Sequence, residues 1–388
     1  MHQRILVAAA LVIAVAATGC NGTGSGPSPE MSGGAPDLIT GGAPAPLPSA
    51  VATPLCHRVP ESWARGVMGW PRATVDMNVY PTNSGSASSL FIAQVKSPSF
   101  SGIALVTPHG ALRRVLRFED PRQDQLLSAS SDGRFYVFSI THSLNGWDDW
   151  TLHSYDSIQG RLVTLDAVRK VRGIALSGPI QRPSVSSGRV AWAAPKDNGE
   201  TSLKVRDLAS GKTWSIASRH GISPVYFGSM LLWSESSAPG RLTELRAVNA
   251  RSLRPQRVPG PLQALRGVVD LSATGSRLVW SRDFVSLWTW RVGDRKETEL
   301  ANTGVDFVNE PKIVGNIVVW RGMDTISALD LRTRRITRLT DGPGGVAVAG
   351  DYVAVMKRLS QRKDTPDLPS TVEVLQASRL SPLEECGE

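Results

Sequence analysis

Short apolar runs recur along the chain, each opened by a glycine turn and closed by a large apolar residue. They read Gly133-RFYV-Phe138, Gly188-RVA-Trp192, Gly228-SMLL-Trp233, Gly275-SRLV-Trp280, Gly315-NIVV-Trp320 and Gly350-DYVA-Val355. An earlier run, Leu90-FIAQV-Lys96, is a degenerate first copy. The turn glycines are spaced 55, 40, 47, 40 and 35 residues apart. A period of this length marks one supersecondary unit copied around an axis. The runs are short and rich in β-branched and aromatic residues, so the unit is a small antiparallel sheet. The pattern predicts an all-β chain: a β-propeller of seven four-stranded blades with the ring closed near the termini.

Individual blades can be traced. In the third repeat an inner strand precedes Gly188, followed by Arg189-VAWAA, Ser202-LKVRDL and Thr213-WSIAS. The sixth runs Ile317-VVW, Ile326-SALDL and Ile336-TRLT. Asp156, Asn249, Asp207 and Asp330 fall at one position, just before the hairpin, where a short polar side chain caps the turn. They read as structural acids. Trp192, Trp233, Trp280 and Trp320 recur at one offset, as rings packed between neighbouring sheets do. The last repeat, Tyr352-VAVM and Thr371-VEVLQ, lacks an outer strand of its own. Residues 59–80 are available to supply it, or to supply strands of the first blade, which would hide the sheet edges. The 55-residue interval carries an insertion, divided between Leu144-NGWDDWT and Gly173-IALSGPIQRPSV.

The N-terminus is of another kind. Residues 1–19 pair Arg4 with an apolar stretch from Ile5 to Ala17, too short for a stable membrane span. The stretch ends in Ala17-Thr18-Gly19-Cys20, which resembles a bacterial lipobox. On that resemblance residues 1–19 are a lipoprotein signal peptide and Cys20 carries the lipid. The other reading is an ordinary secretory signal whose cleavage site contains a Cys. Residues 20–55 form a Gly/Pro/Ser/Ala tether with almost no charge, which cannot bury a core and is expected to be disordered. The thirty-five residues after Cys20 span about 30–35 Å root-mean-square. Residues 56–388 are the propeller domain. The expected location is the outer face of the cytoplasmic membrane, held by the lipid anchor.

Three cysteines remain to be placed. With Cys20 lipidated, Cys56 and Cys386 bracket the repeat array. A propeller brings its ends together, so in an oxidising compartment the two are expected to pair. Two free thiols or intermolecular pairing are the alternatives. The net charge of +9 and the pI near 9.8 favour anionic neighbours, the alternative being solubility and a codon bias that makes Arg far outnumber Lys. The bases sit in separate turns, not in one run, so no nucleic acid is expected as partner.

Function in a propeller resides in loops on a rigid frame. The turns entering each second strand are tight. The loops leaving it are longer and share the opposite face with the connections between blades. They carry the candidate partner-binding residues Trp147, Asp148, Asp149, Trp150, Arg282, Arg321, Lys357 and Arg358. Paired aromatics around two acids suit a protein or glycan contact, and the alternative is a loop that buries its own rings. No Gly-x-Ser-x-Gly, His-Glu-x-x-His or phosphate-loop motif occurs. No His pair stands at ligand spacing, and Asp148-Asp149 and Asp197-NG-Glu200 offer too few ligands for Ca²⁺. No catalytic residue, cofactor or metal is expected.

The Ser131-Asp132-Gly133-Arg134 turn and hairpins such as Asp207-LASGK resemble the TolB-like and WD40-like propeller families over nearly all of residues 75–380. The Gly-His…Trp-Asp signature of WD40 repeats is absent. The TolB-like resemblance implies protein binding in the cell envelope. The expected function is a lipid-anchored, non-enzymatic scaffold that docks an envelope protein or an anionic wall polymer. The alternative is a propeller lyase or hydrolase acting on an anionic glycan. Arg282, Arg321 and Arg358 would then contact carboxylates, with Asp283 or His142 as acid/base. A funnel of convergent Arg, His and carboxylates would favour the enzyme, and an apolar plug would favour binding.

Overall fold

A computed structural model describes residues 55–56, 59–64, 66–69, 78–82, 88–143, 149–168, 170–171, 174–175, 182–196, 200–237, 243–303, 307–342, 344–358 and 370–384. Residues 1–54, which include the expected signal peptide and most of the expected tether, together with Cys386, Trp147 and Asp148, lie outside the described residues. Residues Ala52–Glu388 make one compact unit.

The strands form seven antiparallel blades. Blade 1 runs Asn78–Thr82, Phe91–Lys96, Ser101–Val106 and Leu112–Arg117, from the inside out. Blade 2 runs Gln125–Ser131, Phe135–Thr141, Trp150–Asp156 and Arg161–Ala167. Blade 3 runs Ser184–Ser186, Arg189–Pro195, Thr201–Asp207 and Thr213–Ile216. Blade 4 has Gly221–Phe227, Met230–Glu235 and Glu244–Asn249, and its outer strand shrinks to the Val248–Pro255 bridge. Blade 5 runs Val268–Thr274, Arg277–Arg282, Ser286–Arg291 and Thr298–Asn302. Blade 6 runs Asn309–Val314, Ile317–Arg321, Ile326–Asp330 and Arg335–Thr340. Blade 7 holds Gly344–Ala349, Tyr352–Arg358 and Ser370–Gln376, and takes Val67–Gly69 as its outer strand.

The N-terminal residues therefore do both jobs open to them. Val67–Gly69 completes the last blade and Asn78–Thr82 opens the first. Leu55–Cys56 adds a parallel edge to blade 6, opposite Ile336 and Thr337. The inserted length in the 55-residue interval includes a small hairpin, Lys170–Val171 with Ile174–Ala175.

The repeated glycine has a conformational reason. Gly133, Gly188, Gly228, Gly275, Gly315 and Gly350 all have φ between 52° and 96°, the left-handed region that a tight hairpin demands and a Cβ disfavours. The repeated acid is also explained. Asp156 Oδ1 accepts the N–H groups of Ile158 and Gln159, Asp207 Oδ1 that of Ser210, and Asn249 Oδ1 those of Arg251 and Ser252. Asp330 caps its own turn through Arg332 N–H and also accepts Leu383 N–H at 2.9 Å, pinning the C-terminal tail to blade 6.

Closure is visible in the core. One apolar cluster fills each boundary between neighbouring blades, including the one between blades 7 and 1, where Phe91 and Ala93 meet Ala347 and Val374. Trp192, Trp233, Trp280 and Trp320 are buried in these wedges, as their even spacing predicts. Trp63, on the short helix Glu61–Ala64, seals the boundary between blades 6 and 7 and donates Nε1–H to Ser381 O.

Candidate functional site at the mouth of the ring

Strands alternate in direction, so each blade sends its second-to-third connection, and its link to the next blade, to one face. The other face collects the first-to-second and third-to-outer turns. The inner strands of blades 4, 5 and 6 all begin on the former face with a bulge, at Ile222/Val225, Val269/Ser272 and Asn309/Lys312. Inside each bulge one non-glycine residue is left-handed: Ser223 (φ 50°), Asp270 (52°) and Glu310 (50°). Such backbone costs about 1–3 kcal/mol per residue and persists where the surroundings over-determine it.

Here a charge network over-determines it. Asp270 Oδ2 accepts the N–H of Glu310 at 3.0 Å. Arg182, just ahead of the inner strand of blade 3, reaches across to Asp270 in blade 5 and to Glu310 Oε1 in blade 6 (3.3 Å). Lys312 Nζ stands 3.5 Å from Glu310 Oε2, with the lysine side chain only 7% exposed. Arg321 acts electrostatically on both Glu310 and Lys312. Burial pushes Glu310 up, but Lys312, Arg182 and Arg321 outweigh it and hold the carboxyl at about 2. Burial pushes the Lys312 ammonium down, with Glu310 opposing. Three bases face two acids, which leaves one positive charge in excess. Glu310 stays ionised at any physiological pH, so it is a charge partner and not a proton donor.

The remaining candidates spread over the same face. Arg321 belongs to the network. Arg282, at the matching end in blade 5, lays its guanidinium 4.0 Å over the Trp288 ring and comes within 3.8 Å of Glu297. Its Nε is buried without a hydrogen-bond partner among the described residues. Lys357 is paired with Glu373 at 2.6 Å. Arg358 ends the second strand of blade 7 opposite Ser370. Asp149 is exposed, and its carbonyl accepts from His142 N–H and Thr141 Oγ1–H.

Trp150 departs from expectation. It is 2% exposed, packed with Val137, Val185 and Trp192 between blades 2 and 3. As the first residue of a strand, opposite Thr141, it points into the wedge. Its ring is core, as the alternative of a loop that buries its own rings had it, and Trp147 lies outside the described residues.

Beside it lies a polar chain. His142 Nδ1 bonds the buried Asp124 carboxylate at 2.8 Å, and His142 Nε2 meets Thr151 Oγ1 at 2.9 Å. Thr151 Oγ1 also meets His153 Nε2 at 2.8 Å. Burial, with His142 nearby, lowers His153 to about 4 and keeps it neutral near pH 7. No cluster of three or more His, Cys, Asp or Glu side chains suited to a metal occurs among the described residues.

Arg182, Asp270, Glu310 and Lys312 escaped the sequence reading. A signal was present: Asp270 stands among Val268, Val269 and Leu271, and Glu310-Pro311-Lys312 stands just ahead of Ile313 and Val314, in inner strands.

The chain matches no protein-family model and no curated protein. Solved structures do resemble it. A prolyl endopeptidase aligns at TM-score 0.53 and 13% identity over 79% of this chain, which spans about half (48%) of the endopeptidase. The β-propeller domain of the Trilobed protease from Pyrococcus furiosus aligns at 0.51 and 11% identity, covering 77% of this chain and 95% of that domain. An oligogalacturonate lyase solved with manganese aligns at 0.52 and 10% identity, covering 79% and 92%. Likeness at such identity establishes the fold, a seven-bladed β-propeller, and leaves the narrower TolB-like resemblance as a proposal.

Proposed function

We propose that this chain is a cell-envelope lipoprotein, acylated at Cys20, whose propeller docks an envelope protein or an anionic wall component at the mouth of the ring. The network of Arg182, Asp270, Glu310, Lys312 and Arg321 carries the reading. Its strained bulges are preorganised, its acid is held ionised, and its surplus charge is positive. That chemistry recognises an anionic group and moves no proton. The TolB-like hairpins support the same role. A photo-crosslinker placed at exposed Asp324, one loop from Arg321, should capture the partner on intact cells. Arg321→Glu should abolish the adduct, and an adduct that survives the charge reversal would rule the mouth out.

A second reading is an anionic-glycan lyase or hydrolase, supported by the Asp124–His142 pair and by the fold shared with an oligogalacturonate lyase. His142 would be the base and Arg282 and Arg321 the carboxylate contacts. Among the described residues the Arg182, Asp270, Glu310, Lys312 and Arg321 network itself contains no His, so neither the open catalytic funnel nor the apolar plug describes it. Release of unsaturated uronate from polygalacturonate, lost in His142→Ala, would replace the binding reading with this one.

A further inference from the structure

The two faces of the ring differ in charge. On the face opposite the mouth, the third-to-outer turns of blades 4, 5 and 6 present Arg251, Arg254, Arg291, Arg295, Lys296 and Arg334, all exposed. None of the six enters an ion pair among the described residues. Against these six stand two exposed carboxylates: Asp294, already accepting the Arg291 N–H at 3.0 Å, and Glu384, next to the Leu383 that Asp330 binds. The mouth face mixes its signs, with Asp149, Asp283 and Asp324 exposed among its bases.

Apolar side chains stand among these charges. Val292, at the tip of the blade 5 turn between Arg291 and Arg295, is 58% exposed, and Ile158, at the tip of the blade 2 turn on the same face, is 75% exposed. The Val292 tip is held in place. Its N–H donates to Ser276 O at 2.8 Å, and Asp294 N–H closes the turn on Arg291 O at 2.9 Å. A rigid apolar tip ringed by bases suits the boundary between lipid headgroups and acyl chains.

Where the chain enters the ring points the same way. Leu55 runs parallel to the outer strand of blade 6 and lies beside Ile336, the second residue of a strand that starts on the basic face. Leu55, the first described residue, therefore lies at the basic end of blade 6.

We propose that this basic face is a docking surface for an anionic phospholipid bilayer. The ring lies on the membrane through the turns of blades 4 to 6, with Val292 inserted, and turns its mouth away from the lipid. A basic patch adds a second attachment to a single anchor, and a short tether keeps it at high local concentration. The inference extends the membrane part of the function proposed above, and its test does not involve the acyl group. Residues 52–388 contain every described strand and close the ring by themselves. This chain should co-sediment with vesicles of phosphatidylglycerol and phosphatidylcholine, not with phosphatidylcholine alone, and added salt should release it. The double change Arg295→Glu with Lys296→Glu should weaken binding about tenfold or more at an unchanged melting temperature. The fluorescence of a Val292→Trp variant, compared with the parent chain, should gain a component quenched by brominated phosphatidylglycerol. Equal binding to both vesicles, indifference to the charge reversal, or an added indole signal in Val292→Trp that brominated lipid leaves untouched would overturn the proposal. Displacement by soluble polyglutamate with no such quenching would likewise overturn it, because the face would then serve a polymer.

Discussion

The main-chain N–H of Glu310 donates to the Asp270 carboxylate at 3.0 Å, across the boundary between blades 5 and 6. Both residues are left-handed, so each bulge presents the group that the other needs. Asp270 also takes Arg182. Asp270→Ala should cost about 2 kcal/mol, because a hydrogen bond to a charged group is lost and Arg182 keeps only Glu310 as its partner. Asp270→Asn keeps an acceptor and should lose less. Denaturant titration separates the two, and equal losses would show that the N–H bond contributes nothing.

Acid should act through Glu310. Its carboxyl sits at about 2 in the folded ring against an ordinary 4.5. A depressed carboxylate holds its proton more weakly folded than unfolded. The stability it adds is complete above 4.5 and is lost as pH falls from there towards 2. Solvent screens part of the effect, since 37% of the side chain is open. Glu310→Gln should flatten the stability profile in that window. Parallel profiles for the two proteins would refute the assignment.

Trp150→Ala should cost about 3–5 kcal/mol of stability, as truncation of a buried aromatic does. A variant with the parental melting temperature would contradict its place in the wedge between blades 2 and 3.

Cys20→Ser should move the protein from the membrane fraction to the soluble one under high salt, which also strips any charge-based attachment. Each buried CH₂ of an acyl chain contributes about 0.8 kcal/mol, so losing the chains outweighs any surface contact. Retention after the salt wash would rule out lipidation at that cysteine.

Both ends of the domain run to blade 6. The Cys56 backbone lies beside Thr337, and Leu383 N–H is bound by Asp330. We propose that Cys56 pairs with Cys386, which lies outside the described residues. Closing so long a loop is worth about 4–5 kcal/mol in the chain-entropy model. Peptide mapping without reductant should recover the linked pair, and free alkylation of both thiols would exclude it.

The fold was legible because a ring repeats itself. A left-handed glycine, a turn-capping Asp and a wedge Trp recur at fixed offsets, and each has one local cause. The mouth was not legible. Arg182 meets Asp270 and Glu310 only after three blades have closed around the axis, and no spacing along the chain encodes that meeting. Trp150 misled for a related reason. Next to Trp147 and two acids it reads as a loop residue, but strand register places it one step inside the sheet.

The strand that completes blade 7 is three residues long and is made early, while its partner Ser370–Gln376 is made almost last. Until both exist the ring has a seam, and the seam is a bare strand edge. That edge has no means of telling its own Val67–Gly69 from the same strand of a neighbouring chain. Crowding during refolding, or loss of residues before 70, therefore exposes a junction at which one ring can be stitched to the next. The short N-terminal strand is what lets one chain cover that edge by itself.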